Sequence, residues 1–126
     1  MARQKYFTVE EANALLPTLK PLMQAVLERR ARVSMTAQGQ RALLHDDKNN
    51  IGSSEFSEMT QDFIAIEALL EEIRSYGVIV KDLNGGLIDF LCDRNGRDVY
   101  LCWKYDEPEV EYFHELHAGF AGREPI

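Results

Sequence analysis

Two imidazoles stand three residues apart near the C-terminus, in Tyr112-Phe113-His114-Glu115-Leu116-His117, with Glu111 just upstream and Gly119-Phe120-Ala121-Gly122-Arg123 just downstream. Imidazole nitrogens and carboxylate oxygens are ligands for divalent metals. If the chain turns helically after the last strand, both rings fall on one side and can share a cation about 2.0–2.1 Å from each nitrogen. Glu115 or Glu111 could add an oxygen. Such a shell suits zinc, iron or manganese, and an incomplete one leaves a bound water whose pKa the metal lowers. The spacing is not the His-Glu-x-x-His of helical zinc proteases, so no protease is predicted. The plain alternatives are a His114 bonded to a backbone carbonyl and a His117 on the surface.

Arg123 offers a planar fork for a carboxylate or phosphate, and Gly119 and Gly122 would let the backbone approach a small anionic ligand there. The same residues also support a structural reading, in which the glycines turn the tail back over a sheet, Phe120 anchors it and Arg123 pairs with an acid. Cys102 is a poor nucleophile on this reading. Its cross-strand partner is Asp89, and a carboxylate raises a thiol pKa.

Elsewhere the chain reads as scaffold. Its 126 residues suffice for one domain with one core. With 21 acidic against 14 basic side chains the net charge is -7, which repels nucleic-acid backbones and anionic membranes, so neither is an expected partner. The one basic cluster, Arg29, Arg30 and Arg32, reads as a solvated helix face. Met1 to Phe7 has no apolar h-region, and no apolar run approaches the roughly 18 residues of a membrane span; the expectation is a soluble cytoplasmic protein. Cys92 and Cys102 are too few for a disulfide scaffold and should lie on opposite sheet faces.

Thr8 and Glu11 form a capping box for a first helix with apolar residues at Leu15, Leu19, Leu22 and Val26, reaching about Gln38 and kinked by Pro17 and Pro21. Residues 36 to 54 read as a polar connection, possessing at most one helical turn at 40 to 44, and His45-Asp46-Asp47 as solvated side chains. Phe56, Met59, Phe63, Ile66, Leu70 and Ile73 then step by threes and fours through a second helix that starts at about Ser54 and ends at Gly77. Beyond Gly77 the period becomes two, giving strands at 78–82, 87–92, 98–105 and 110–115. An Asn95-Gly96 turn aims Phe90, Cys92, Val99, Leu101 and Trp103 at the helices. A four-residue loop at 106–109 would send Tyr112 and His114 to that inner face and Phe113 and Glu115 outward, and a one-residue change would reverse this. The loop at 84–86 leaves the faces of Val78 and Ile79 open.

Phe7-Thr8-Val9-Glu10-Glu11-Ala12-Asn13-Ala14-Leu15-Leu16-Pro17, Lys81-Asp82-Leu83 with Gly86-Leu87-Ile88-Asp89-Phe90, Val99-Tyr100-Leu101-Cys102-Trp103 and the tail His114 to Pro125 together resemble the bacterial domain-of-unknown-function family 2203. The resemblance implies a family but no activity. In relatives the tail resembles His-Asp/Glu-Leu-acid-Ala-Gly-Phe-Ala-Gly-Arg, so His117 here stands where the family pattern has a carboxylate, and both types can ligate a metal.

The expected architecture is therefore a single α+β domain, with a long antiparallel helical hairpin (8–76) packed on a four-stranded antiparallel β-meander that leads into the tail (78–126). The expected function is binding of a divalent metal by His114, His117, Glu115 and Glu111. The competing expectation is a non-enzymatic interaction module whose hairpin pairs with a second copy or with a partner helix, because its apolar residues exceed one narrow seam.

Overall fold

Thr8 and Glu11 exchange the two hydrogen bonds that their spacing predicts: Thr8 N donates to Glu11 Oε1 at 2.9 Å and Glu11 N to Thr8 Oγ1 at 3.1 Å. They open helix α1 (Val9–Leu44), which is followed by α2 (Ser53–Ser75) in a computed structural model that describes residues 5–44 and 53–126. At 36 residues α1 is longer than its apolar stripe suggests, extending past Gln38 through 39–44 and continuing unbroken through Pro17 and Pro21. After Gly39, the run Gln40-Arg41-Ala42-Leu43-Leu44 consists of good helix formers, which carries the helix on where the apolar period fades. His45, Asp46 and Asp47 lie outside the described residues.

The hairpin departs from its expected packing at one level. Phe63 is 54% exposed and Asp62 is buried in its place. Asp62 accepts hydrogen bonds from Arg29 Nη1 at 2.9 Å and Arg32 Nε at 3.0 Å, and the Arg32 bond leads the causes that hold its carboxyl below its ordinary value. One residue further along a helix is about 100° around it, so turning Asp62 inward turns Phe63 out. The basic cluster is thus not simply a solvated face: Arg29 and Arg32 ion-pair with Asp62, and Arg30 donates to Asn84 Oδ1 at 3.2 Å. Ile66, Leu70 and Ile73 are buried as expected.

Among the described residues five strands, one more than expected, form an antiparallel meander in chain order: β1 (Ile79–Asp82), β2 (Leu87–Arg94), β3 (Arg97–Lys104), β4 (Tyr112–Glu115) and β5 (Glu124–Pro125). The fifth strand arises because the tail folds back, with Ile126 N donating to Glu111 O at 2.9 Å. Its proline sits at a sheet edge, where a missing donor costs no ladder bond. Asn95 and Gly96 both have positive φ, 55° and 84°, as a two-residue hairpin turn of the twist-matching kind requires. Ile88, Phe90, Cys92, Val99, Leu101 and Trp103 face the helices and join Leu16, Leu19, Met23, Val26, Leu70 and Ile73 in one core. Cys92 and Cys102 are unpaired thiols. At the first turn a bulge between Val80 and Asp82 shifts the register, and residues 83–86 make the connection. Val78 enters the core, and Ile79 is paired with Asp89.

The last hairpin corrects the predicted faces. A four-residue loop at 106–109 would set Leu101 opposite His114, whereas Leu101 pairs with Phe113, Tyr100 with His114 and Cys102 with Tyr112. Glu107 causes the slip. Its amide donates to Lys104 O at 2.9 Å, its carbonyl accepts from Trp103 Nε1 at 2.9 Å and its carboxylate accepts from Lys104 N at 2.7 Å, which caps β3 early. Asn13 Oδ1 then takes Val110 N at 2.7 Å and Lys20 Nζ reaches Pro108 O at 3.0 Å, tying the loop to α1. Phe113 consequently enters the core, and His114 and Tyr112 turn to the face away from the helices.

Thermal unfolding checks the helix phase: Ile73→Ala should cost about 2–5 kcal/mol through a core cavity, and Phe63→Ala within about 0.5 kcal/mol. Equal costs would contradict the outward placement of Phe63.

Candidate metal centre

On the sheet face away from the helices, three adjacent strands contribute one side chain each. Asp89 on β2 lies opposite Cys102 on β3, and His114 on β4 is the diagonal neighbour of Cys102 through the Tyr100–His114 pair. All three are at most 2% exposed. One ligand atom from each lies within 4.8 Å of the other two. Tetrahedral zinc, with bonds of about 2.0–2.3 Å, needs ligand atoms roughly 3.3–3.8 Å apart, so small side-chain movements suffice to close around an ion.

The protons matter most. His114 Nδ1 is 2.7 Å from Glu115 O, and a carbonyl only accepts, so Nδ1 carries the hydrogen. Nε2 faces Asp89 Oδ2 at 3.1 Å. Two lone pairs cannot share that gap without a proton or a metal cation between them. Asp89 Oδ1 is buried and has no hydrogen-bond partner among the described residues. Burial raises the Asp89 pKa against the opposing effect of His114, and burial together with the Asp89 charge pushes the Cys102 thiol up to about 12. His114 does not bridge thiol and carboxyl through its two nitrogens, because Nδ1 is committed to the backbone. The arrangement is therefore not a Cys-His-Asp nucleophilic triad.

A family model described as "Uncharacterized conserved protein (DUF2203)" matches residues 5–126. The chain belongs to this family. No curated protein and no solved structure matches it. The DUF2203 description names no chemistry, which leaves the geometry to carry the functional argument.

Of the four residues that the sequence offers as metal ligands, two reach one place. His114 and His117 line a single cavity of about 310 Å³, together with Asp89, Cys102, Lys81 and Phe120. Glu115 lies on the other face of β4, where it pairs with Arg97 at 3.1 Å, and the Glu111 side chain is exposed at the edge. The chain does turn after β4, closed by Ala118 N to Glu115 O at 3.0 Å. Asp89 and Cys102 are the members that sequence reasoning missed. Their mutual register was already legible from the Asn95-Gly96 turn, but the face of His114 hung on the length of the last loop.

The residues expected around an anion serve the tail instead. Arg123 grips the Glu107 carboxylate with both terminal nitrogens, one at 3.1 Å, between the Tyr112 ring at 4.1 Å and the Phe120 ring at 4.5 Å. The fork proposed for a ligand is thus occupied by a neighbour. A Cβ on Gly122 would come within 2.8 Å of Ala118, so that glycine allows the short 3₁₀ helix Phe120–Gly122 to fold onto the preceding turn. With this tail in place Cys102 is sealed from solvent. Arg123→Met should release the tail, read as faster amide exchange across 119–126 and increased labelling of Cys102 by a thiol reagent, with exchange in α2 unchanged. Unaltered labelling and tail exchange would show that Arg123 is not the latch.

Proposed function

We propose that the protein binds a divalent metal ion through Asp89, Cys102 and His114, with zinc the first choice. The observation that carries this reading is the buried approach of His114 Nε2 to Asp89 Oδ2, 3.1 Å apart, while Nδ1–H is spent on Glu115 O. A histidine whose far nitrogen donates to a backbone carbonyl has its tautomer fixed for metal binding at the near one. The unpartnered Asp89 Oδ1 supplies a further buried acceptor. A thiolate, an imidazole and a carboxylate suit zinc or ferrous iron, and the sulfur weighs against manganese. Three ligands form an incomplete shell, whose next position faces the cavity.

Elemental analysis of untagged protein should give about one metal per chain. Asp89→Asn, Cys102→Ser and His114→Gln should each abolish stoichiometric binding, with circular dichroism separating loss of metal from loss of fold. In competition titrations the affinity should rise with pH, because the metal must displace the proton of a thiol whose pKa is about 12 and of a carboxyl whose pKa is also raised. The expected gradient is about tenfold per pH unit for each proton displaced. Failure of the parent to bind zinc or ferrous iron, or a pH-independent affinity, would sink the proposal.

A second reading, pairing of the hairpin with another copy of the chain, is favoured by Met35, Phe63 and Ile64, which are 73%, 54% and 65% exposed. Phe63 also borders a groove of about 340 Å³ with Val33, Ile66, Leu70 and Leu83. This surface is on the helical layer, so pairing would not obstruct the metal centre. Light scattering at micromolar concentration should give twice the chain mass, reverting to a monomer in Phe63→Glu. A monomeric parent would rule this reading out.

A further inference from the structure

We infer that His117 is the fourth ligand of this centre, delivered by the turn after β4, and that it closes both the metal's shell and the mouth of the cavity. The inference rests on the metal reading above and concerns what completes the site.

The cavity wall offers few donors for that position. Beyond Asp89, Cys102 and His114, the side chains lining it that carry a nitrogen or oxygen are Lys81, Asp82 and His117. Asp82 Oδ1 accepts the Asn84 amide at 2.9 Å and so shapes the turn at 83–86. Lys81 sets its Nζ 5.2 Å from the centre of the Tyr100 ring, where its charge is met by the ring face. His117 remains. Its imidazole makes no hydrogen bond or ion pair among the described residues, in contrast to His114, both of whose nitrogens are engaged.

The backbone permits the movement. His117 sits in the turn that Ala118 N closes onto Glu115 O, three residues after His114, a separation that presents both rings to one side. On its far side Gly119 has φ 71° and a Cβ there would meet nothing within 4 Å, so the joint is held only by its carbonyl, which accepts the Gly122 amide at 3.1 Å, and by the Ala118–Gly122 contact. The beginning of the turn is held by β4 and its end by the Arg123–Glu107 pair. Only the segment 116–119 needs to shift. Two imidazoles, a thiolate and a carboxylate make a complete tetrahedral set, which leaves no metal-bound water at rest. An incoming ligand must then displace His117, the exposed and least anchored of the four. His117 is a gate on the centre rather than part of its floor.

Cobalt(II) tests this, because its visible absorption distinguishes four-coordinate from higher-coordinate sites and a sulfur ligand adds a charge-transfer band. Metal-free wild-type and His117→Ala protein are titrated with cobalt(II), followed by imidazole. The wild type should give an intense tetrahedral spectrum with the sulfur band. His117→Ala should keep the sulfur band but show weaker visible absorption, with affinity lower by at least about tenfold, the lower end of what outer-shell substitutions cost. Imidazole should restore the His117→Ala spectrum and leave the wild type unchanged. Identical spectra and affinities for the two proteins would overturn the assignment of His117 while preserving the three-residue site. Absence of any sulfur band in the wild type would overturn the three-residue site itself, and this inference with it.

Discussion

Burying the Asp89 carboxyl on the outer face of the sheet obliges its surroundings to compensate it, and much of the C-terminal structure follows from that constraint. A carboxylate taken out of water without partners costs several kcal/mol. Asp89 is approached by His114 Nε2 and by the Cys102 thiol, and its Oδ1 has no hydrogen-bond partner among the described residues. Its other neighbour, Cys102, is a thiol whose own ionisation burial and the Asp89 charge oppose. Burial favours the protonated carboxyl and thiol, so on the proposed metal reading a divalent ion competes with their protons. On the proposed metal reading, metal binding and proton release at this place are two descriptions of one equilibrium.

The tail makes this burial possible. A sheet with helices on one face normally leaves the other to water. Here residues 116–123 lie over that second face, and β5 stitches the end of the tail to β4. Arg123 holds the crossing by stacking on two aromatic rings while forking onto Glu107, the residue that also caps β3. Glu107 therefore joins three matters: the early end of β3, the register of β4 and the anchorage of the tail. A guanidinium suits the place better than an ammonium would, since only the planar fork can stack and bond a carboxylate bidentately at once.

The hairpin solves its charge problem differently. Asp62 is enclosed by Arg29 and Arg32, so a buried acid is met by cations from the facing helix. The consequence is an apolar side chain, Phe63, turned to solvent. Buried acids thus shape both layers of the protein: in the helices one is neutralised by arginines, and on the sheet one sits beside a thiol and an imidazole.

The sequence by itself determined the features that depend on neighbours along the chain. The capping box at Thr8 and Glu11, the Asn95-Gly96 turn, the register that sets Asp89 opposite Cys102, and the inner face from Phe90 to Trp103 all follow from local hydrogen bonds or from a period of two counted outward from a known turn. The tertiary structure decided what depends on distant partners. Asn13 and Lys20 on α1 hold the loop that sets the β4 register, and Arg29 and Arg32 choose which residue of α2 turns inward. In a strand a slip of one residue exchanges the two faces. That slip took His114 away from Trp103 and placed it beside Asp89 and Cys102, so the histidine could be read from the sequence as a candidate ligand while its partners could not.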